Sequence, residues 1–362
     1  MGVRNSELAD LIATTLADLP DQQFEVEWTN QDYEWCRIYQ QNRIQIDGGT
    51  EIKRNVMLNP TGNARYRRTY DTDEPVAGDV QYQITVPWTQ IGTNYSWDKV
   101  EILRNKNSSK GFVNLMESKR VDGLWSLADL IEERGWLTPT SSSDDLNPYG
   151  IPYYLNLLNT GDSAGFNAKT ITYQDASTGT VCAGIDANIE SKWCNYAAPY
   201  TKIDNAFLKT YRKGVISTQF KAPLFINDPS SDALMVKRVY AGLDETVTLQ
   251  DSLDSRDDNH KPVDLMGGVL AQIEGTVMLN RMPVVYIPAL DNTTLHPAKY
   301  NPVFTVDFRK FVPYVQDGYW MEEGEPMTDR GQHTTFTVFL DGAHNNLCTS
   351  RRKCGFVLHT AT

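Results

Sequence analysis

Asn107-Ser-Ser-Lys-Gly-Phe-Val-Asn-Leu-Met-Glu-Ser-Lys-Arg-Val-Asp-Gly-Leu-Trp-Ser-Leu-Ala-Asp-Leu-Ile-Glu-Glu-Arg-Gly-Trp136 is the stretch on which the fold turns. Phe112, Leu115, Met116, Leu124, Leu127, Ala128 and Ile131 recur at spacings of three, four and seven, broken only near Lys119–Arg120. Asp122, Asp129, Glu132 and Glu133 fall mostly on the other face, the pattern of an amphipathic helix. Asn107 and Ser108 offer acceptors for the first backbone N–H groups. Gly135 suits the left-handed position just past a helix end. The stretch predicts one helix of about seven turns, roughly 40 Å at 1.5 Å per residue. A helix this long and one-sided serves as a spine on which a sheet and a loop are laid.

Bulk properties bound the class. A chain of 362 residues has room for one large or two medium domains with real cores. With 22% charged and 40% hydrophobic residues it reads as an ordinary soluble, folded protein. The net charge of −12 argues against a nucleic-acid reader that works by neutralising phosphates. No apolar run approaches the ~20 residues of a membrane span. The start lacks the apolar segment of a secretory signal. Cys36, Cys182, Cys194, Cys348 and Cys354 are odd in number and far apart, which suggests free, reduced thiols of a cytosolic product.

Upstream of the spine, Met1–Ser6 fits the short myristoylation pattern, which chance meets often. Leu8, Leu11, Ile12, Thr15 and Leu16 share one face of a short helix predicted over residues 6–19, stopped by Pro20. Residues 20–47 carry Phe24, Trp28, Tyr33, Trp35 and Tyr39 without a clean period. They read as an arm whose aromatics pack on something else, a neighbouring subunit being the natural choice. After Gly48–Gly49, residues 50–58 and 65–70 look extended around a turn cluster at residues 59–63. Val80, Tyr82, Ile84, Val86 and Trp88 then alternate with Gln81, Gln83 and Thr85. The whole is a long β excursion with its tip at Pro60–Gly62. A two-stranded ribbon is marginal alone in water, and no local helix offers it a surface. Its apolar face is expected to lack a partner in its own chain.

Downstream, a Thr/Ser/Asp linker over residues 138–145 leads into a second region. It is predicted to contain Ile151–Leu158, a helix over Lys202–Lys213, a buried strand over Pro223–Asn227 and a helix from Ser231 to Leu243. An acidic loop over Asp251–Asp258 and strands over Val284–Pro288, Val303–Val312 and Thr334–Leu340 follow, and Asn345–Leu358 closes the pattern. Strands and helices do not follow a regular βαβ order, so the fold class is α+β.

Few motifs point to chemistry. Gly161-Asp162-Ser163-Ala164-Gly165 matches G-x-S-x-G, but a nucleophile elbow needs a buried strand before it and a helix after it. Residues 168–173 look extended instead, and all five histidines lie after Ser163. A hydrolase order with His260 or His296 is formally possible; a flexible Gly/Ser loop is the better reading. Cys348 and Cys354, near His344 and His359, lie in a run that alternates like a strand, with no C-x-x-C pair. Asp71, Asp73 and Glu74 lack the EF-hand spacing. There is no P-loop and no dinucleotide fingerprint. No catalytic, cofactor-binding or metal-binding residue is assigned, and no cofactor is expected.

The order of features nevertheless resembles one family. It runs from the arm through Gly48–Gly49, the β excursion, Asn105–Asn107 before the spine, and Gly184-Ile185-Asp186 followed by Trp193 and Asn195. Pro283-Val284-Val285, Gln332-His333-Thr334 and the run from Asn346 to Leu358 complete it. That last run is similar to an ending of the form N-L-x-x-x-R-R-x-x-G-x-L. In this order and spacing the chain resembles the major capsid protein of tailed bacteriophages, with the Hong Kong 97 type capsid fold. Ala183 departs from the pattern, since relatives often carry a second glycine there. The short N-terminus leaves no room for a fused scaffolding domain.

The resemblance implies a division into an N-terminal arm (1–47), an E-loop (48–98) and a peripheral domain with the spine helix (99–145). An axial domain (146–307), further peripheral strands (308–348) and a returning C-terminal strand (349–362) would follow. It implies a late structural head protein, not an enzyme, self-assembling as hexamers and pentamers of an icosahedral shell. Such a shell encloses double-stranded DNA without sequence-specific binding and with no membrane. A portal is the implied partner, with a separate scaffold or decoration protein left open. The implied location is the virion, after assembly in the host bacterial cytoplasm. The arm and E-loop would lie on neighbouring subunits. Lys53 is the lysine of the E-loop, and no motif marks an asparagine for covalent cross-linking. An encapsulin-like compartment around enzyme cargo is the alternative of the same fold. A serine hydrolase using Ser163 is the alternative of another class.

Overall fold

The structure, a computed structural model, describes residues 33–59, 62–72, 78, 80–101, 109–220, 237–257, 270–273, 276–292, 294–328 and 334–360. The expectations for residues 1–6, 6–19, 105–108, 223–227 and 332–333 lie outside the described residues.

The chain runs through helix α1 (Glu34–Asn42) and strands β1 (Ile44–Ile46), β2 (Glu51–Met57), β3 (Gln81–Pro87) and β4 (Thr89–Asp98) into the long helix α2 (Ser109–Gly135). After the single turn α3 (Ile151–Tyr154) come β5 (Gly165–Ala168), β6 (Ile171–Thr172), β7 (Thr178–Gly179), β8 (Val181–Cys182), β9 (Ile185–Asp186) and β10 (Asn195–Pro199). Helix α4 (Asn205–Thr218), strand β11 (Lys237–Ala241) and helix α5 (Leu243–Asp257) follow. Then come β12 (Leu270–Ile273), β13 (Thr276–Leu279), β14 (Met282–Tyr286), β15 (Val303–Asp307), β16 (Phe311–Gln316), β17 (Glu322–Glu323) and β18 (Met327–Thr328). Strand β19 (Thr335–Cys348), the turn α6 (Arg351–Cys354) and β20 (Gly355–His359) are last. The fold is α+β, in two compact units. The first holds the described residues up to Gly48 with Thr89–Glu133 and Tyr314–His344; the second holds Gly49–Trp88, Arg134–Pro313 and the residues from Asn345 on.

In the first unit β19 pairs antiparallel with β4 from Thr335↔Asp98 to His344↔Thr89. Strand β4 therefore belongs to this long sheet, and the β excursion proper ends at Pro87. The sheet runs β1-β16-β19-β17, with β18 and β4 also on β19. Phe336, Val338 and Leu340 are buried along β19 while Thr335, Thr337 and Phe339 face outward, the period of two that a half-covered sheet requires. Helix α2 crosses with Met116, Leu127 and Ile131 buried. Gly123 lies against the Tyr95 ring, where a Cβ would come within 2.8 Å of Cδ1, so this glycine permits a close approach of helix to sheet. The buried stripe is narrower than the sequence spacing indicates: Leu124 is 41% exposed. Glu132, expected on the polar face, is buried because it accepts the Trp35 N–H at 2.8 Å. Gly135 is the last helical residue rather than the one beyond it.

That contact with Trp35 corrects the reading of residues 20–47. The described part is not a free arm. Trp35, Ile38 and Tyr39 are buried on α1, Tyr39 stacks on Trp320 at 5.3 Å, and Tyr33 donates to Asp129 at 2.6 Å. These aromatics find their core in their own chain, on α2 and the segment before β17.

The second unit is built on an eight-stranded sheet of order β12-β13-β14-β11-β15-β20-β10-β5. Helix α4 packs at the β10/β20 end and α5 at the β12–β14 end. Both feed one core, α4 through Phe207, Leu208, Tyr211 and Val215 and α5 through Leu249. Asp204 starts α4 by accepting the Ala206 and Phe207 N–H groups, which moves the helix three residues past the expected Lys202 start. Four other expectations change. Residues 237–241, expected to be helical, form β11 between β14 and β15, where Val239, Tyr240 and Ala241 are wholly buried. Residues 251–257 are helical rather than an acidic loop, since Leu249 anchors α5 and the exposed Asp244 and Asp251 need only solvent. A turn at residues 308–310 splits the expected strand 303–312 into β15 and β16. The expected strand 347–358 is broken by α6.

Candidate assembly surfaces

The β2–β3 ribbon pairs in register from Glu51↔Pro87 to Met57↔Gln81. Its alternation is as expected, but its isolation is not. Ile52, Ile84 and Val86 are buried, and the Thr85 N–H donates to the Ala183 carbonyl at 3.0 Å. Glu190 accepts the Tyr82 hydroxyl at 2.5 Å and also the Asn59 side-chain amide. The partner surface is the β8–β9 hairpin and the turn after it, a hundred residues downstream and so invisible to a local reading. The hairpin turns on Ala183 and Gly184 with φ of 50° and 84°, the two left-handed residues of a type I′ turn. Ala183 is held there by the Tyr153 hydroxyl, to which its N–H donates at 3.0 Å.

Beyond the ribbon, residues 62–72 run out without regular structure. Tyr66 and Tyr70 are fully exposed, at 108% and 100%. Arg68 N–H donates to the Asp71 carboxylate at 2.8 Å, a local turn rather than a calcium loop. The two tyrosines stand four residues apart on this one segment. Lys53 pairs with Glu51 at 3.1 Å on the exposed ribbon.

Inside the second unit, Arg351 is buried, and among the described residues it pairs with no carboxylate. Its guanidinium donates to the carbonyls of Tyr154 (2.9 Å), Trp193 (2.8 Å) and Ala168 (3.4 Å) and to Asn195 Oδ1 (3.2 Å). It also stacks over the Trp193 ring. Asn195 in turn accepts the Asn156 N–H and donates to the Asn156 carbonyl, each at 2.9 Å. One side chain thus ties the residues around α3, β5, β10 and α6 together. Sequence reading placed Arg351 in a motif but gave it no task, because the run Arg351-Arg352-Lys353 does not say which of its three cations is buried.

The chemical candidates stay apart. Ser163 is exposed, and its Oγ accepts the Asn167 amide at 3.0 Å. A strand, β5, follows it where an elbow needs a helix. His260 lies outside the described residues. Burial pushes His296 down to about 4, with Lys299 adding to the effect. Cys348 and Cys354 are buried, and Cys354 is held well above the usual thiol range by its hydrogen bond to Cys348 and by burial. Burial pushes Cys182 up to about 12, despite Arg351 nearby. Among the described residues no three His, Cys, Asp or Glu side chains are grouped to hold a metal, and no helix is long and apolar enough to cross a membrane. A recess of about 360 Å³ opens between the 139–149 segment and the 173–184 hairpins, walled by Tyr149, Tyr153 and Tyr173. Tyr149 and Tyr153 stack at 4.0 Å, and Asp144 is tied up by N–H groups of Thr140, Leu146 and Asn147.

Among solved structures, the chain is similar to a chain of the capsid asymmetric unit of Cyanophage A-1(L). The TM-score is 0.61 at 13% sequence identity, over 98% of this chain and 99% of that one. A chain from Mycobacterium phage Bobi gives a TM-score of 0.52 at 9% identity over 100% of both chains. The capsid of a native GTA particle gives 0.52 at 9% identity over 95% of both. No protein-family model matches, and no curated protein matches in sequence. The likenesses define a class of architecture. The chain has the Hong Kong 97 type fold of phage capsid proteins.

Proposed function

We propose that this chain is the major capsid protein of a tailed double-stranded DNA phage, a structural component of the virion. The observation that carries the reading is the end-to-end correspondence with the Cyanophage A-1(L) capsid chain, 98% of one on 99% of the other. Neither chain has a large part without a counterpart in the other. In this reading the first unit is the peripheral domain with its spine helix α2, and the second unit, apart from its ribbon, is the axial domain. The β2–β3 ribbon with residues 62–72 is the E-loop, whose Tyr66 and Tyr70 meet a neighbouring copy. Copies form the hexamers and pentamers of an icosahedral shell, assembled in the host bacterial cytoplasm with a portal at one vertex. The shell encloses DNA without reading it, and the chain performs no catalysis.

Electron microscopy of the purified full-length chain tests this. Uniform closed shells are expected, and particles from infected cells should contain DNA. Particles that instead hold a protein cargo and no nucleic acid would favour an encapsulin-like compartment. A chain that never assembles, under any salt or crowding condition, would remove the capsid reading. Activated-ester probes should leave Ser163 unlabelled; stoichiometric labelling lost in Ser163→Ala would restore the hydrolase alternative.

A further inference from the structure

The two helices on the eight-stranded sheet carry opposite charge on their outer faces. On α4, Lys209, Arg212, Lys213 and Ile216 are exposed at spacings of three, four and seven, so they form one stripe. Ile216 is 75% exposed, and α4 contains no acidic residue. On α5, Asp244, Val247 and Asp251 are exposed at the same spacings. Val247 is 47% exposed, and α5 holds five acids against one arginine. Each stripe is therefore charged with an apolar residue set into it, and the two signs are complementary. Their placement matters as much. Helix α4 packs at the β10/β20 end of the sheet and α5 at the β12–β14 end, both covering one core.

We infer that α4 of one copy docks on α5 of the next, head to tail. The inference rests on the reading of the chain as a self-assembling shell protein. A second copy fits better than a foreign partner, because the same molecule presents both stripes at opposite ends of one sheet. A copy that satisfies α4 leaves its own α4 free for a third. Such a heterologous contact closes into a ring when the rotation allows. A polyphosphate on α4 would match the cations but leave Ile216 uncovered and α5 unused. Charges at the rim of such an interface set association rate and salt dependence, while the apolar pair supplies buried area.

Three full-length proteins test this by sedimentation velocity beside the wild type. The first carries Lys209→Glu, Arg212→Glu and Lys213→Glu; the second carries Asp244→Lys and Asp251→Lys; the third carries all five. The substituted side chains are all exposed, so thermal melts should match the wild type and serve as the folding control. Each one-sided reversal should lower the assembled fraction by roughly tenfold or more, and the five-fold variant should recover most of it. The milder Asp244→Asn, Asp251→Asn protein should show a smaller loss in the same direction. Assembly unchanged by either reversal would overturn the inference. So would losses that the combined protein does not recover, or an α4 reversal that affects only DNA retention. In those cases wild-type shells would still stand for the capsid reading; a wild type that stays monomeric would remove both.

Discussion

Arg351 is a buried cation whose acceptors are all neutral. Its value lies in geometry: four donors meet three carbonyls and one amide oxygen. Arg351→Met should destabilise the second unit by on the order of 4 kcal/mol, because several buried acceptors lose their partner. Arg351→Lys keeps the charge but not the fork and should recover less than half. Urea midpoints measure both. Ala183 pays a conformational cost at φ 50° that glycine would not. Ala183→Gly should raise stability by about 0.5–1 kcal/mol, the relief of left-handed strain exceeding the added chain entropy. An unchanged or lower melting temperature would contradict this. His344, boxed between Tyr39 and Trp320, has its pKa pushed from 6.5 to about 4 by burial, and His296 falls to about 4 as well. A depressed folded pKa means that the unfolded chain binds more protons between these values. Stability present above pH 6.5 should therefore be lost as pH falls toward 4, by roughly 1.4 kcal/mol per pH unit for each histidine. Asp307, raised by burial, works in the opposite direction at lower pH. Melting temperature against pH should show the decline, shallower in His344→Phe.

At the scale of elements, α1 and the ribbon changed most between sequence and structure. Trp35, Ile38 and Tyr39 stand at i, i+3 and i+4, a helical signal that was present but diluted across residues 20–47. A chain starting at Asp47 would lose α1 and its buried indole. Trp35→Ala alone should cost about 3–5 kcal/mol, and the truncated chain should melt its first unit early. Calorimetry of full-length and truncated protein would separate the two. The ribbon's alternation was legible in Val80 to Trp88, because a period of two is local. Its docking was not, because Ala183 and Glu190 lie far along the chain. Amide exchange in the monomer should accordingly protect 51–57 and 81–87 while 63–72 exchanges at open-chain rates. Glu190→Ala should erase part of that protection; full protection of 63–72 in a monomer would contradict the exposure of Tyr66 and Tyr70.

For the whole molecule, the order of features along the chain was enough to anticipate the architecture, and α2 was legible almost to its ends. What local patterns could not supply were the long pairings. Strand β4 meets β19 some 240 residues later, in register from Thr89↔His344 to Asp98↔Thr335, and no period announces that. Likewise the task of Arg351 needs the carbonyls of Tyr154, Ala168 and Trp193 in one place. The case with the most bearing on folding order is β20. It lies inside the eight-stranded sheet, parallel to β10 and antiparallel to β15, yet it follows both in the chain. On the ribosome, then, the sheet must wait with a gap between β15 and β10 until residues 355–359 have left the exit tunnel. A polypeptide halted anywhere before Gly355 carries an open slot and an unfinished core. Faulty translation products would be sorted out at folding, before they could poison a lattice made of many identical copies.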